Sequence, residues 1–242
     1  MMKNVLCCLC VPLLATLPLF AQSDAEGGRD RGAGRSAWFA CTSIPDDLEN
    51  PVKVLAGEKI TELELPEYMA SDPVAIPEDG IIRIVRGVPD PEDPAKTKYL
   101  VLAEARIPEG VREALIILMP LAQPKGDLIF HSTVQNLADF KGGDRLYINL
   151  SNTNIGVEIG DKKVAVPARR SGMYQAGNLA KPTNQPIIYR FFHPERKEWK
   201  LLSASTVVLR PTRREINVFN DGSRIGKIEK HKILFPIESP EP

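Results

Sequence analysis

The sequence predicts an all-β protein: two tandem β-sandwich domains of about seven strands each, related by internal duplication. Three observations predict it. Apolar and polar residues alternate at period two through much of the chain, the pattern of strands with one buried face. Several segments recur in the same order, about 100–108 residues apart. No segment keeps a convincing helical period, and 21 prolines suit turns and strand edges better than helices.

The first 21 residues are expected to lie outside the fold. Lys3 gives a short basic start, and Val5 to Phe20 is an apolar run broken only by Thr16 and two prolines. Leu19-Phe20-Ala21 then offers the small or apolar residues that a signal peptidase reads, so 1–21 is read as a cleaved secretory signal. The run is shorter than the roughly 20 residues a membrane span needs. No transmembrane segment is expected after cleavage, and the protein is placed as secreted, periplasmic or attached to the cell envelope. Cys7, Cys8 and Cys10 fall at the start of the apolar run, which argues against a lipoprotein. Cys41 is then the sole cysteine left, so no internal disulfide forms, and its apolar setting in "AWFACTSI" predicts a buried thiol. Residues 22–36, polar and glycine-rich, read as a disordered tether.

The repeats are drawn at 37–134 and 145–238, joined by a linker at 135–144. "AWFACTS" (37–43) resembles "RLYINLS" (145–151), and "GEK" (57–59) matches "GDK" (160–162). "IIRIV" (81–85) matches "IIYRF" (187–191). Residues 99–119 run beside 199–219, with Tyr99 opposite Trp199 and Ile116 opposite Ile216. "KGDLIFH" (125–131) answers "KIEKHKILF" (227–235). The unbroken apolar run "ALIILM" (114–119) predicts a central strand covered on both faces. Gly160-Asp161 predicts a two-residue hairpin turn, which sets Val157 opposite Val164, Ile155 opposite Val166 and Glu158 opposite Lys163. Residues 167–186 read as irregular, with one helical turn.

The pattern Y-x-N-L-S…V-x-I-G-D-K at 147–162 and the tandem layout resemble secreted bacterial proteins built of immunoglobulin-like β-sandwich domains. The resemblance implies an envelope or surface role and carries no active-site residues across.

The chain has no net charge, but the halves differ in sign. Residues 37–121 hold 16 Asp and Glu against 8 Lys and Arg, and residues 144–242 hold 10 against 17. Such opposite fields predict either docking of the domains on each other or contact between molecules, with a head-to-tail partner, an envelope partner or an anionic glycan. Arg169, Arg170, Arg210, Arg213 and Arg214 are the candidate anion-binding residues, because guanidinium forks take sulfate, phosphate or carboxylate. No G-x-S-x-G elbow is present, and His131, His193 and His231 are scattered along the chain. No catalytic residue, metal or cofactor is expected, nor is nucleic acid a partner. "PDPEDP" (89–94) reads as a rigid, acidic, solvated hairpin loop. The expected role is a non-catalytic envelope or surface protein acting through protein–protein contacts. The alternatives are a binding module for an anionic glycan or surface polymer, and an enzyme with a site at the domain junction.

Overall fold

The computed structural model describes residues 34–224 and 226–237. The expected signal segment lies outside these residues, as does most of the expected tether. The tether's last residues belong to the fold instead: Arg35 donates to the carbonyls of Val111 (2.8 Å) and Pro108 (3.0 Å), and Ser36 opens the first strand.

Strands β1 (Ser36–Cys41), β2 (Val52–Ala56), β3 (Lys59–Leu63), β4 (Val74–Ala75), β5 (Ile81–Pro89), β6 (Thr97–Arg106), β7 (Glu113–Lys125) and β8 (Leu128–Asn136) make two sheets, ordered β3-β2-β5-β6 and β4-β1-β7-β8. Strands β9 (Arg145–Asn149), β10 (Ile155–Ile159), β11 (Lys162–Val166), β12 (Ser171–Tyr174), β13 (Thr183–His193), β14 (Glu198–Leu209), β15 (Arg213–Asp221) and β16 (Ile228–Pro236) repeat that order as β11-β10-β13-β14 and β12-β9-β15-β16. Each copy thus has eight strands against the expected seven or so. The parallel pairing of β1 with β7 recurs between β9 and β15. A bulge at Ile84/Val85 in β5 recurs at Tyr189/Arg190 in β13. Two copies with one strand order, one parallel pair and one bulge are what a duplicated sandwich leaves behind.

The register corrects the sequence matches in two places. The bulge makes Tyr189 the counterpart of Ile84, one residue away from the expected alignment of 81–85 with 187–191. In β1, Phe39 pairs with Ile116; in β9, Tyr147 pairs with Asn217. Asn217, rather than Ile216, therefore answers Ile116. Side chains alternate between faces along a strand, so this single step exchanges interior for exterior.

Each sandwich has its own core. Phe39, Val54, Ile82, Ile84 and Ile116 fill the first, and Tyr147, Val157, Ile187, Tyr189 and Phe219 the second. A third apolar layer lies between the β1/β7 sheet and the β9/β15 sheet, from Ala40, Leu115 and Ile117 on one side to Ile148, Val218 and Ile233 on the other. The central β7 is buried on both faces, as its apolar run predicts. The sandwiches meet through this layer, and among the described residues no ion pair joins them. Segment 135–144 is built into it: Leu137–Asp139 forms one 3-10 turn, and Leu137 and Phe140 are buried. Tyr68 to Ala70 of the first copy also pairs with β16, where the Leu234 N–H donates to the Tyr68 carbonyl (2.8 Å) and the Ala70 N–H to the Leu234 carbonyl (3.1 Å).

The β10–β11 hairpin has the expected register, with Gly160 at φ +53° in its turn. Glu158 sits closer to Arg190 (2.6 Å) than to Lys163 (3.9 Å). The helical turn expected within 167–186 is absent; the Ser171–Tyr174 strand and extended chain take its place. Cys41 is buried, its thiol donates to the Ser43 carbonyl (2.8 Å), and burial pushes its pKa up to about 12.

Asn149 locks the end of β9. Fully enclosed, its amide donates to the carbonyls of Thr153 (2.7 Å), Val166 (2.9 Å) and Pro167 (3.0 Å). Its oxygen accepts from the Ser151 N–H (3.0 Å) and hydroxyl (2.6 Å). Truncation orphans several buried groups at once, at about 1–3 kcal/mol for each group left unsatisfied. Asn149→Ala is expected to lower the unfolding free energy in urea by at least about 2 kcal/mol; an unchanged midpoint would show that water replaces the amide.

Candidate functional site

A cleft of about 400 Å³ opens between β14 and β16, the edge strands of the second sandwich's two sheets. Its size falls in the range of small-ligand sites, about 300–1,000 Å³. A second indentation, beside Leu48 and Val52, holds only about 10 Å³.

The cleft exists because this seam differs from its counterpart. In the first sandwich β6 and β8 close on each other, and the Ser132 hydroxyl donates to the Glu104 carbonyl. Ala103 and Ala105 are buried there, at 2% and 4% exposure. Their counterparts in β14, Ser203 and Ser205, are half-buried and exposed. The β8 positions paired with Leu118 and Ile116 are Ser132 and Val134; the β16 positions paired with Phe219 and Asn217 are Lys230 and Lys232. Two ammonium groups repel each other and keep their water, so the seam stays open.

The floor carries a buried polar cluster. The Arg145 guanidinium lies 2.8 Å from Glu215 Oε2, and both side chains are about 5% exposed. Arg213 Nη2 donates to Glu215 Oε1 at 2.9 Å, and Lys232 Nζ stands 4.0 Å from Oε2. The Arg145 contact is an ion pair whose angles fall short of a hydrogen bond, so Oε2 has no directed donor among the described residues. Arg145 Nε and Asn217 Nδ2, both in cleft-lining residues, likewise have no hydrogen-bond partner among the described residues. Buried polar groups are nearly always satisfied in native proteins, by protein groups or by ordered water, so this cluster departs from ordinary apolar packing.

The first copy shows that the fold does not need this cluster. Ala37 pairs with Ala114 where Arg145 pairs with Glu215, Ile116 stands at Asn217, and Ile84 at Tyr189. A buried ion pair contributes little or negative net stability compared with apolar packing. Five cations (Arg145, Arg210, Arg213, Lys230 and Lys232) face the single carboxylate of Glu215.

Burial, then the charges of Arg145 and Lys232, lowers the Lys230 pKa, with Glu215 partly opposing, although much of the side chain meets solvent. Lys230 Nζ lies over the Tyr189 ring, 4.0 Å from its centroid. Burial raises both the Tyr147 and Tyr189 phenols.

Of the residues singled out in the sequence, Arg210 and Arg213 line the cleft. Arg214 takes the other face of β15: it lies over the Phe235 ring, 5.1 Å from its centroid, and donates to the Phe140 carbonyl. Arg169 and Arg170 occupy the β11–β12 turn, at the opposite edge of the sandwich from the cleft, where Arg169 Nη2 donates to Asn152 Oδ1 (2.9 Å). Arg145, Glu215 and Asn217 were not singled out as site residues; their signal is polar residues at inward strand positions where the matching repeat has alanine and isoleucine. Comparison with protein-family models and with curated proteins finds no match.

Glu215→Gln leaves the Arg145 charge enclosed without its counter-ion, and a loss of about 3–5 kcal/mol in urea unfolding is expected. The pair Arg145→Met with Glu215→Leu is expected to recover most of that loss, and a single variant as stable as the parent would mean the pair is hydrated. His231, half-buried with Nε2 unpartnered among the described residues, has its pKa lowered by burial, with the Thr42 backbone opposing. The unfolded chain takes up the proton first, so stability falls as pH drops below about 6.5. His231→Gln is expected to flatten the pH dependence of the urea midpoint just below that value, and an unchanged slope would assign it to other groups.

Proposed function

We propose that this chain is a non-catalytic binding protein of the cell exterior or envelope, and that it takes an anionic ligand in the cleft between β14 and β16. One observation carries the reading: a buried Arg–Glu–Asn cluster, at positions where the sister repeat has alanine and isoleucine, lines one cleft with four further cations. Guanidinium forks with free N–H groups recognise carboxylate, sulfate and phosphate. The export expected from residues 1–21 supports an extracellular setting, and no helix of the described residues is long and apolar enough to cross a membrane. This reading favours the binding module weighed beside a protein-contact role, and of the five candidate arginines it uses Arg210 and Arg213.

Retention on immobilised heparin and on immobilised poly-L-glutamate tests this. Lys230→Glu with Lys232→Glu reverses exposed charges at the cleft mouth and is expected to weaken retention at least about tenfold, the worth of one charge-assisted hydrogen bond. Arg169→Glu with Arg170→Glu removes as much charge from the opposite edge and is expected to change it far less. Equal losses in the two doubles would reduce the effect to general surface charge and end the proposal.

A further inference from the structure

We infer that the anionic ligand is an extended peptide, which adds as a strand to the outer edge of β14 and points alternate acidic side chains at the cationic floor. The inference rests on the anion-binding reading of the cleft and specifies what fills it.

The cleft follows strand edges rather than one sheet face. Ser205, Thr206, Val207 and Val208 line it as consecutive residues, and so do Lys230, His231 and Lys232. Consecutive side chains of a strand point to opposite faces, so only the backbone edge presents all of them to one space. β14 ends its sheet, and among the described residues no strand pairs with its outer edge. Alternate residues there direct N–H and C=O outward, and Ala204, Ser205 and Thr206, small and exposed, leave those groups accessible. The matching edge in the first copy is occupied, since β8 has closed on β6. The edge of β16 is partly taken as well, by Tyr68 and Ala70 at Leu234. Of the two edges that flank the cleft, β14 is therefore the one left to accept a strand.

The charges have the spacing of an extended chain. Lys230 and Lys232 lie two residues apart on one strand, about 7 Å. Acidic side chains at alternate positions of a neighbouring strand repeat at the same distance, and they would reach Arg145 and Arg213 on the floor. A sugar fits less well. Saccharide faces stack on open aromatic rings, and Tyr189, the tyrosine that lines the cleft, already carries Lys230. Lysines that merely guarded an edge against aggregation would account for Lys230 and Lys232, but not for Arg145, Glu215 and Asn217 buried beneath them where the first copy has alanine and isoleucine.

A synthetic library of octapeptides with Glu at every second position and varied residues between them is selected on the immobilised full chain and on the Lys230→Glu/Lys232→Glu double variant. The parent is expected to enrich a subset that the variant does not. The best peptide is remade with N-methyl groups on one or the other alternate set of amides. One set, facing β14, is expected to lose at least tenfold in affinity by calorimetry, and the other less than twofold. Amide exchange at 204–208 is expected to slow on binding. No enrichment over the variant, equal binding by both methylated forms, or unprotected amides would overturn the inference. Charge-dependent heparin retention without peptide binding would overturn the strand and leave the anionic cleft standing. Retention indifferent to the double reversal would remove both.

Discussion

The apolar contact between the two central sheets is the constraint on which the molecule depends. It buries the second face of β1, β7, β9 and β15, so the middle of each inner sheet is covered on both sides, while each outer sheet keeps one face to solvent. A strand buried on both faces cannot slip by one residue, because both faces are apolar yet differently filled. Large branched residues such as Ile117 and Val218 occupy the shared layer, while Phe39 and Phe219 occupy the sandwich interiors. The side chains packed between the copies are largely apolar despite the copies' opposite charges, and among the described residues no ion pair joins them.

With its central sheets fixed, the duplicated fold is free to vary at its outer edges. One copy closes the seam between its two edge strands with alanine, and the other holds it open with lysine. Beneath the open seam, an Ala–Ala pair has become Arg–Glu at the same point of the parallel ladder. Natural proteins retain locally unfavourable polar groups mainly where function requires them. The second copy is thus expected to be the less stable half, and the first shows the same scaffold without a cleft.

Much of the fold was legible in the sequence because its signals are local. Gly160 with its alternating flanks gives the β10–β11 register, and the apolar run at 114–119 gives a strand covered on both sides. The cleft was harder to see, because Arg145 and Glu215 lie 70 positions apart and meet only through a parallel pairing. Arg213 and Arg214 are neighbours, and strand parity alone sends one to the cleft and the other onto Phe235. Ile116 and Ile216 match in type but not in face, so a match of residue identity misled by one step. Arg169 and Arg170 lie in the β11–β12 turn, at the opposite edge of the sandwich from Arg210 and Arg213, a separation that sequence position alone does not show. The missed signal was comparative: a charged residue in one repeat where the other has a methyl group.

The latch at Asn149 has a consequence for how the protein is made. Asn149-Leu150-Ser151 is an acceptor triplet for N-linked sugars, and its carboxamide nitrogen is the one already donating to three carbonyls. Once the chain has folded, no oligosaccharyltransferase can reach that nitrogen. A glycan attached during translocation would occupy the place of those carbonyls and bar the end of β9 from its pocket. In a secretory pathway that glycosylates nascent chains, modification and folding of this protein therefore exclude each other.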